Sequence, residues 1–262
     1  MPRSSRSGAS HFHAGSTALR AFAEGLVNWY RDNRRALPWR EHPSPYGVWV
    51  SEVMLQQTRV EVVRDYYARF MQRFPTLRDL AQAQDSDVLH LWQGLGYYSR
   101  ARRLLAGARF VVEQFDGQLP GQTQQLLQVP GIGPYSAGAI SSIAFGEPSA
   151  IVDGNVIRVL SRHWGLGGDP NKGPLKAQLW ERAGQLVELA DPGSFNQALM
   201  ELGATVCTPK RPQCFACPVQ TSCVALATNE VSRFPELPKP KPKTKVRLVV
   251  LLLERTRSAR AT

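Results

Sequence analysis

The stretch LQVPGIGPYSAGAI, residues 127–140, decides how this chain is read. Gly131 and Gly133 make a Gly-x-Gly hairpin between two short helical runs, where backbone amides can approach an anion with no Cβ in the way. The hairpin lies at the N-terminus of the following helix, whose unpaired N–H groups and dipole favour a phosphate. Small residues, Ala137 and Gly138, follow it. Such a helix–hairpin–helix grips a DNA backbone without reading its sequence. An ordinary turn between two helices has the same outline, so the reading needs support from the rest of the chain.

Outward from the hairpin, the pattern stays helical. From Thr17, residues Leu19, Phe22, Leu26, Trp29 and Tyr30 fall on one face. The turn-rich stretch LPWREHPSPYG (37–47) stops that run. Apolar positions three and four apart return in Val60–Phe74, Val88–Leu95 and Ala101–Phe115. Further helices are expected over 134–145, 154–164, 174–190 and 194–205, and no alternating strand pattern occurs before residue 246. The prediction is an all-α chain of about ten short helices. Residues 1–16 read as a disordered arm. At the other end, 230–245 is a Pro/Lys linker, followed by VRLVVLLLER with the character of a strand. One strand cannot stand alone. It either pairs with the helical body or, as we expect, is the first strand of a domain missing from this sequence.

Length and composition limit the function. A chain of 262 residues, 43% hydrophobic and 20% charged, can bury a sizeable core and lies outside the disordered class. The longest apolar run, Leu248–Leu253, is 6 residues, far short of a membrane-spanning helix. The N-terminus has no secretory apolar stretch, though its Arg/Ser content is compatible with organelle targeting; a cytoplasmic monomer with no membrane partner is expected. The net charge of +11 suggests a polyanion partner. Much of it sits in residues 239–262, where eight Lys or Arg face the single Glu254. Nucleic-acid binding therefore rests on motifs, with charge as support.

All four cysteines fall in one cluster, Cys207, Cys214, Cys217 and Cys223. Without a secretory signal, a disulfide scaffold is a poor fit, and four thiolates so close suggest a metal centre. Structural zinc usually takes two C-x2-C knuckles, and only one such pair is present. Longer, uneven loops suit an iron–sulfur cluster whose corners are spread wider than the ligands of one ion; a zinc-stabilised structural protein stays open. Lys210 and Arg211 lie inside the first loop, which a rigid cluster would hold out as a basic hook for phosphate.

Two carboxylates stand out. Glu52, in WVSEVMLQQT (49–58), is flanked by bulky apolar residues, so burial should raise its pKa and keep it protonated as a general acid. A solvated helix-face glutamate is the alternative. Asp153 opens DGNVIRVL directly before a helix. That is a favoured N-cap position, and amide hydrogen bonds with the helix dipole should hold it ionised. A neutral acid and a fixed anion are the pair that breaks a glycosidic bond.

These motifs, LPWR (37–40), WVSEVMLQQT (49–58), GLGYYSRAR (94–102), VPGIGPYSAGAI (129–140), VDGNVIRVLSR (152–162), NQALMELGATVC (196–207) and the cysteine cluster, resemble adenine DNA glycosylases of the MutY family, in the superfamily that contains endonuclease III. The likeness runs in order from about residue 18 to 227. It implies a six-helix lobe over 46–145 and a second lobe, 17–45 plus 146–229, carrying a 4Fe–4S cluster on the four cysteines, with DNA in the cleft between. Its partner would be double-stranded DNA containing A·8-oxoguanine or A·G mispairs. The position of Glu52 would protonate adenine N7 and that of Asp153 would stabilise the oxocarbenium ion. Tyr135 and Asn155 match positions that support the catalytic Asp or the sugar. Arg35 matches one that contacts the flipped base, and Trp39 of LPWR is placed with it among the substrate contacts. Gln57 and Tyr97 match residues that probe or wedge beside the orphan base. Family members continue into a β-rich domain similar to Nudix hydrolases, which recognises 8-oxoguanine; residues 246–262 would be its first strand.

Related lyases attack the sugar with a lysine where this chain has Tyr135. No lysine precedes Lys172, so a Schiff-base nucleophile beside these motifs is unavailable from the first 171 residues. A monofunctional glycosylase whose nucleophile is water, or transiently Asp153, is expected. A glycosylase for thymine in G·T mismatches or for oxidised pyrimidines, and a non-catalytic iron–sulfur DNA-binding module, are the alternatives.

Overall fold

The computed structural model describes residues 15–237 apart from His42 and Asn171. The expected N-terminal arm, apart from its last two residues, the linker from residue 238 onward and the C-terminal strand lie outside the described residues. Within them the protein is all-α, with no strand.

Thirteen helices follow one another: α1 (Ser16–Asn33), α2 (Pro38–Glu41), α3 (Pro45–Leu55), α4 (Val60–Arg73), α5 (Leu77–Gln82), α6 (Asp85–Trp92), α7 (Ser99–Phe115), α8 (Thr123–Leu126), α9 (Pro134–Phe145), α10 (Gly154–Trp164), α11 (Gly173–Val187), α12 (Pro192–Thr205) and α13 (Val224–Ala227). The count exceeds the expected ten because three are single turns and because 37–47 is not simply a break. Pro38 and Pro45 each open a helix there, the second behind the N-cap Ser44, whose side chain accepts from Gly47 N. Proline at the first helical position is pre-set for the turn and loses no hydrogen bond.

Two hydrophobic cores organise the chain. The first runs from Leu37 to Ile140 and centres on Trp49, Phe70, Phe74 and Trp92. The second joins α1 to α10, α11 and α12 through Phe22, Leu26, Leu160, Leu179, Phe195 and Leu202. Helix α9 belongs to both, giving Ala137 and Ile140 to one and Ala139 to the other. It packs against α3 on one side and α12 on the other. Its small residues permit this: a methyl on Gly138 would collide with the Ala150 carbonyl oxygen.

Helix α3 explains the setting of Glu52. Every residue from Tyr46 to Met54 is buried. A helix apolar all round sits inside a protein, and here it carries one carboxylate in with it.

Candidate active site

Glu52, Tyr135, Asp153 and Asn155 line one cavity of about 530 Å³, and Arg35, Trp39 and Gln57 border it as well. The residues expected to break a glycosidic bond thus share a space large enough for a nucleobase and its sugar.

Glu52 is 6% exposed. Burial pushes its carboxyl up to about 7, with Asp153 adding to the rise while the Tyr135 hydroxyl and Arg40 oppose it. It is therefore poised to hold a proton near neutrality, as a general acid must. Tyr135 donates to Glu52 Oε2 at 2.7 Å, and the tyrosine hydroxyl oxygen lies 3.1 Å from Met200 Sδ. The resemblance placed Tyr135 beside the catalytic Asp or the sugar; its hydroxyl bonds Glu52, because α9 packs on α3, and the ring borders the cavity that Asp153 also lines.

Asp153 is the N-cap of α10. Its Oδ1 accepts from Val156 N at 2.7 Å and its Oδ2 from Asn155 Nδ2 at 2.9 Å. These bonds and nearby Arg158 favour the anion, but burial outweighs them and the net shift is upward. The expected hydrogen bonds to the carboxylate are present, and burial acts against them. Asn155 is fixed in turn: its Oδ1 accepts from Arg158 Nη2 at 2.8 Å. Arg158 also donates to the carbonyls of Cys207 and Gly203, each at 2.7 Å.

Across the cavity, Arg35 does not project freely toward a base. Its Nε and Nη2 grip Glu201 at 2.7 and 2.9 Å, and Arg40 Nη2 reaches the second Glu201 oxygen at 2.9 Å. Burial alone would raise Glu201, yet the two guanidiniums override it and hold the carboxyl at about 2. Glu201 and Arg40 both border the cavity and were not singled out from sequence. The available signal was a charged residue within the apolar run NQALMELGATVC and an arginine one place after Trp39. Gln197, whose Oε1 accepts from Tyr30 at 3.0 Å, is a further wall residue that the pattern did not reveal.

The remaining expected contacts lie outside the cavity. Gly131, at φ 87°, occupies a conformation that favours glycine, and a methyl there would approach Arg103 Cβ at 2.9 Å. Gly133 caps α9 with no side-chain bond to its first amides, and nothing lies within 4 Å of where its Cβ would be. The start of α9 is thus open to an anion. Tyr97 projects from the turn before α7, 62% exposed. Lys210 and Arg211 are exposed on the loop after α12.

The four cysteines border a second, apolar-walled cavity of about 30 Å³. Burial pushes the Cys217 thiol up to about 11 and raises Cys214 and Cys223 too. Arg162 Nη1 lies 3.4 Å from Cys207 Sγ and also donates to the Thr208 carbonyl at 2.8 Å. Among the described residues no group of three or more His, Cys, Asp or Glu closes around a single-ion position. The donor set is nonetheless four soft sulfurs around one space, which fits a sulfur-ligated iron cluster.

Residues 50–185 match the model of the HhH-GPD superfamily of base excision DNA repair proteins. The adenine DNA glycosylase of Rattus norvegicus is 51% identical over 237 residues, covering 87% of this chain and 46% of the relative. That of Homo sapiens is 49% identical over 245 residues, with 87% and 45% covered. The chain spans about half the length of these relatives. Among solved structures, a thermostable thymine-DNA glycosylase superposes with a TM-score of 0.73 at 28% identity, over 81% of this chain and 98% of that one. A non-covalent endonuclease III–DNA complex gives a TM-score of 0.66 at 20% identity over 82% and 98%, a likeness of fold.

Proposed function

The chain belongs to the HhH-GPD superfamily of base excision DNA repair proteins, and on that premise we propose that it is a monofunctional adenine DNA glycosylase. Its substrate is adenine mispaired with 8-oxoguanine or guanine in double-stranded DNA. The observation that carries the reading is the pairing of Glu52, poised near 7, with the hydrogen-bonded Asp153 in one cavity.

The residues divide the work by environment. The hairpin at Gly131 and Gly133, with Lys210 and Arg211, holds the DNA backbone through amides and positive charge. Gln57 and Tyr97 meet the opposite strand as adenine leaves the stack and enters the cavity. Glu52 gives its proton to adenine N7. The C1′–N9 bond breaks, its electron pair goes to the departing base, and the sugar is left as an oxocarbenium ion. Asp153 stabilises that charge, and its bond from Asn155 holds it in place. Water adds to C1′ and its proton passes to Asp153. Trp39 offers an aromatic wall to the base. The clamp of Arg35, Arg40 and Glu201 is a rigid polar end against which the base is sorted.

Tyr135 stands where related lyases carry lysine, so no amine adds to the sugar and the product is an intact-strand abasic site. Cys207, Cys214, Cys217 and Cys223 would hold a 4Fe–4S cluster. When bound, it supplies a rigid cross-link for the loop that presents Lys210 and Arg211. The likeness to a thymine-DNA glycosylase at 28% identity favours thymine opposite guanine as the second reading. A duplex panel decides between them: adenine release from A·8-oxoguanine and A·G, with strand breaks appearing only after alkali, is expected. Release of thymine from G·T with adenine untouched would overturn the proposal.

A further inference from the structure

We propose that Arg100 is the positioning residue that locks Gln57 and Tyr97 into one rigid reading edge; the inference rests on the glycosylase reading above and assigns how that enzyme opens a mispair.

Arg100 sits in the first turn of α7 and is 8% exposed. Its Nη1 donates to the carbonyls of Val53, Met54 and Gln56, at 2.9, 3.0 and 2.5 Å. Its Nη2 donates to the carbonyls of Leu95 and Gly96, each at 3.2 Å, and to Thr58 Oγ1 at 3.3 Å. Val53 and Met54 lie in the last turn of α3, where carbonyls have no partner within the helix. One guanidinium therefore closes the end of α3 and, with the same planar group, ties it to the turn between α6 and α7.

Each tied turn presents one exposed residue in the left-handed region, Gln57 at φ 57° and Tyr97 at φ 48°. Neither is a glycine, and such a backbone persists only when its surroundings over-determine it. The carbonyls gripped by Arg100 are immediate neighbours of both residues: Gln56 before Gln57, and Gly96 before Tyr97. The guanidinium carbon also lies 5.6 Å from the Tyr97 ring centroid and 5.5 Å from that of Trp92. Trp92 Nε1 donates to the Gly96 carbonyl at 3.2 Å and Tyr66 to that of Gln93 at 2.7 Å, so the second turn is pinned from three sides.

A wedge that separates stacked bases works only if its own backbone does not yield first. With Arg100 in place, force on Tyr97 is carried into α3, the helix that holds Glu52. Without it, the two turns can part and the wedge gives way, while the cavity keeps its acid. Arg100 thus acts on opening of the mispair and not on bond cleavage.

The test compares Arg100→Met and Arg100→Lys with wild type on two duplexes under single-turnover conditions: adenine opposite 8-oxoguanine, and adenine opposite an abasic spacer, where there is no pair to open. Arg100→Met is expected to lose about tenfold or more on the mispair and less than about threefold on the unopposed adenine, with Arg100→Lys between. A 2-aminopurine beside the mispair should brighten with wild type and stay quenched with Arg100→Met. Equal losses on both duplexes, or none on the mispair, would overturn the inference; if the Met variant does not fold, the same comparison is read from Arg100→Lys. A wild type that brightens 2-aminopurine yet releases no adenine would overturn the adenine reading and leave the role of Arg100 standing.

Discussion

The Tyr135 hydroxyl donates to Glu52 Oε2 across 2.7 Å, joining α9 to the buried α3 at the one carboxyl group that helix carries. The bond favours the carboxylate and so restrains a proton affinity that burial has already raised. Tyr135→Phe removes the restraint, and the Glu52 carboxyl should climb further. Because cleavage needs the protonated acid, the alkaline limb of the excision rate against pH should move upward. A limb that stays put, or moves down, would show that the tyrosine does not act through Glu52.

Glu52 also links stability to pH. Its folded value of about 7 lies above the ordinary carboxylate range, so the unfolded chain releases this proton first. Stability from this group is complete below about 4.5 and is lost as pH rises through about 7. Glu52→Gln removes the loss. At pH 8 the variant should be more stable than wild type by on the order of 2–3 kcal/mol, while excision falls by about 10²- to 10⁴-fold. Denaturant midpoints at pH 4.5 and 8 check the first half, and adenine release checks the second.

Asp153→Asn separates cap from charge. Asparagine is as good an N-cap as aspartate, so the bond to Val156 N can be kept and stability should stay within about 1 kcal/mol. Stabilisation of a cationic sugar is lost, and the rate should drop by at least about 10²-fold. An active Asp153→Asn enzyme would mean the anion plays no part in the chemistry.

Gly133, the N-cap of α9, and Gly138, within that helix, should behave oppositely. Gly133→Ala places its methyl in open space, so thermal stability should hold while duplex affinity and its salt dependence fall. Gly138→Ala drives a methyl into the Ala150 carbonyl and should cost about 1–3 kcal/mol of stability through overpacking. Thermal melts and salt titrations of binding read the two effects apart.

Iron content tests the cysteine cavity. The purified protein should be brown and contain about four iron atoms per chain. Cys217→Ser should lose the visible absorbance and loosen the loop bearing Lys210 and Arg211, seen as faster amide exchange over 207–223. Stoichiometric zinc in place of iron would favour a zinc-stabilised fold.

Much of this was legible in the sequence because it is local. The hairpin, the order of the longer helices and the cysteine spacing are written in runs of a few to twenty residues. The single-turn helices were not, since residues such as Pro38 and Pro45 serve equally as turn formers and as helix starts. The acid and the N-cap were found from their neighbours in the chain. Their partners were not: Tyr135 meets Glu52 over a separation of 83 positions, and Arg35 meets Glu201 over 166. Contacts of that span are set by how helices pack, and propensity is silent on them. For the same reason the depth of Asp153, which opposes its capping bonds, could not be read from a capping motif.

Helix α3 has no wet side. A surface carboxylate can be adjusted by exchanging the charges around it on its own helix, but every neighbour of Glu52 along α3 is already committed to filling space. Any drift in the proton affinity of Glu52 would have to come from other segments, through Tyr135 on α9, Arg40 on α2 or Asp153 ahead of α10. The chemistry is tuned from its surroundings, and the helix that bears the acid is the part least free to vary.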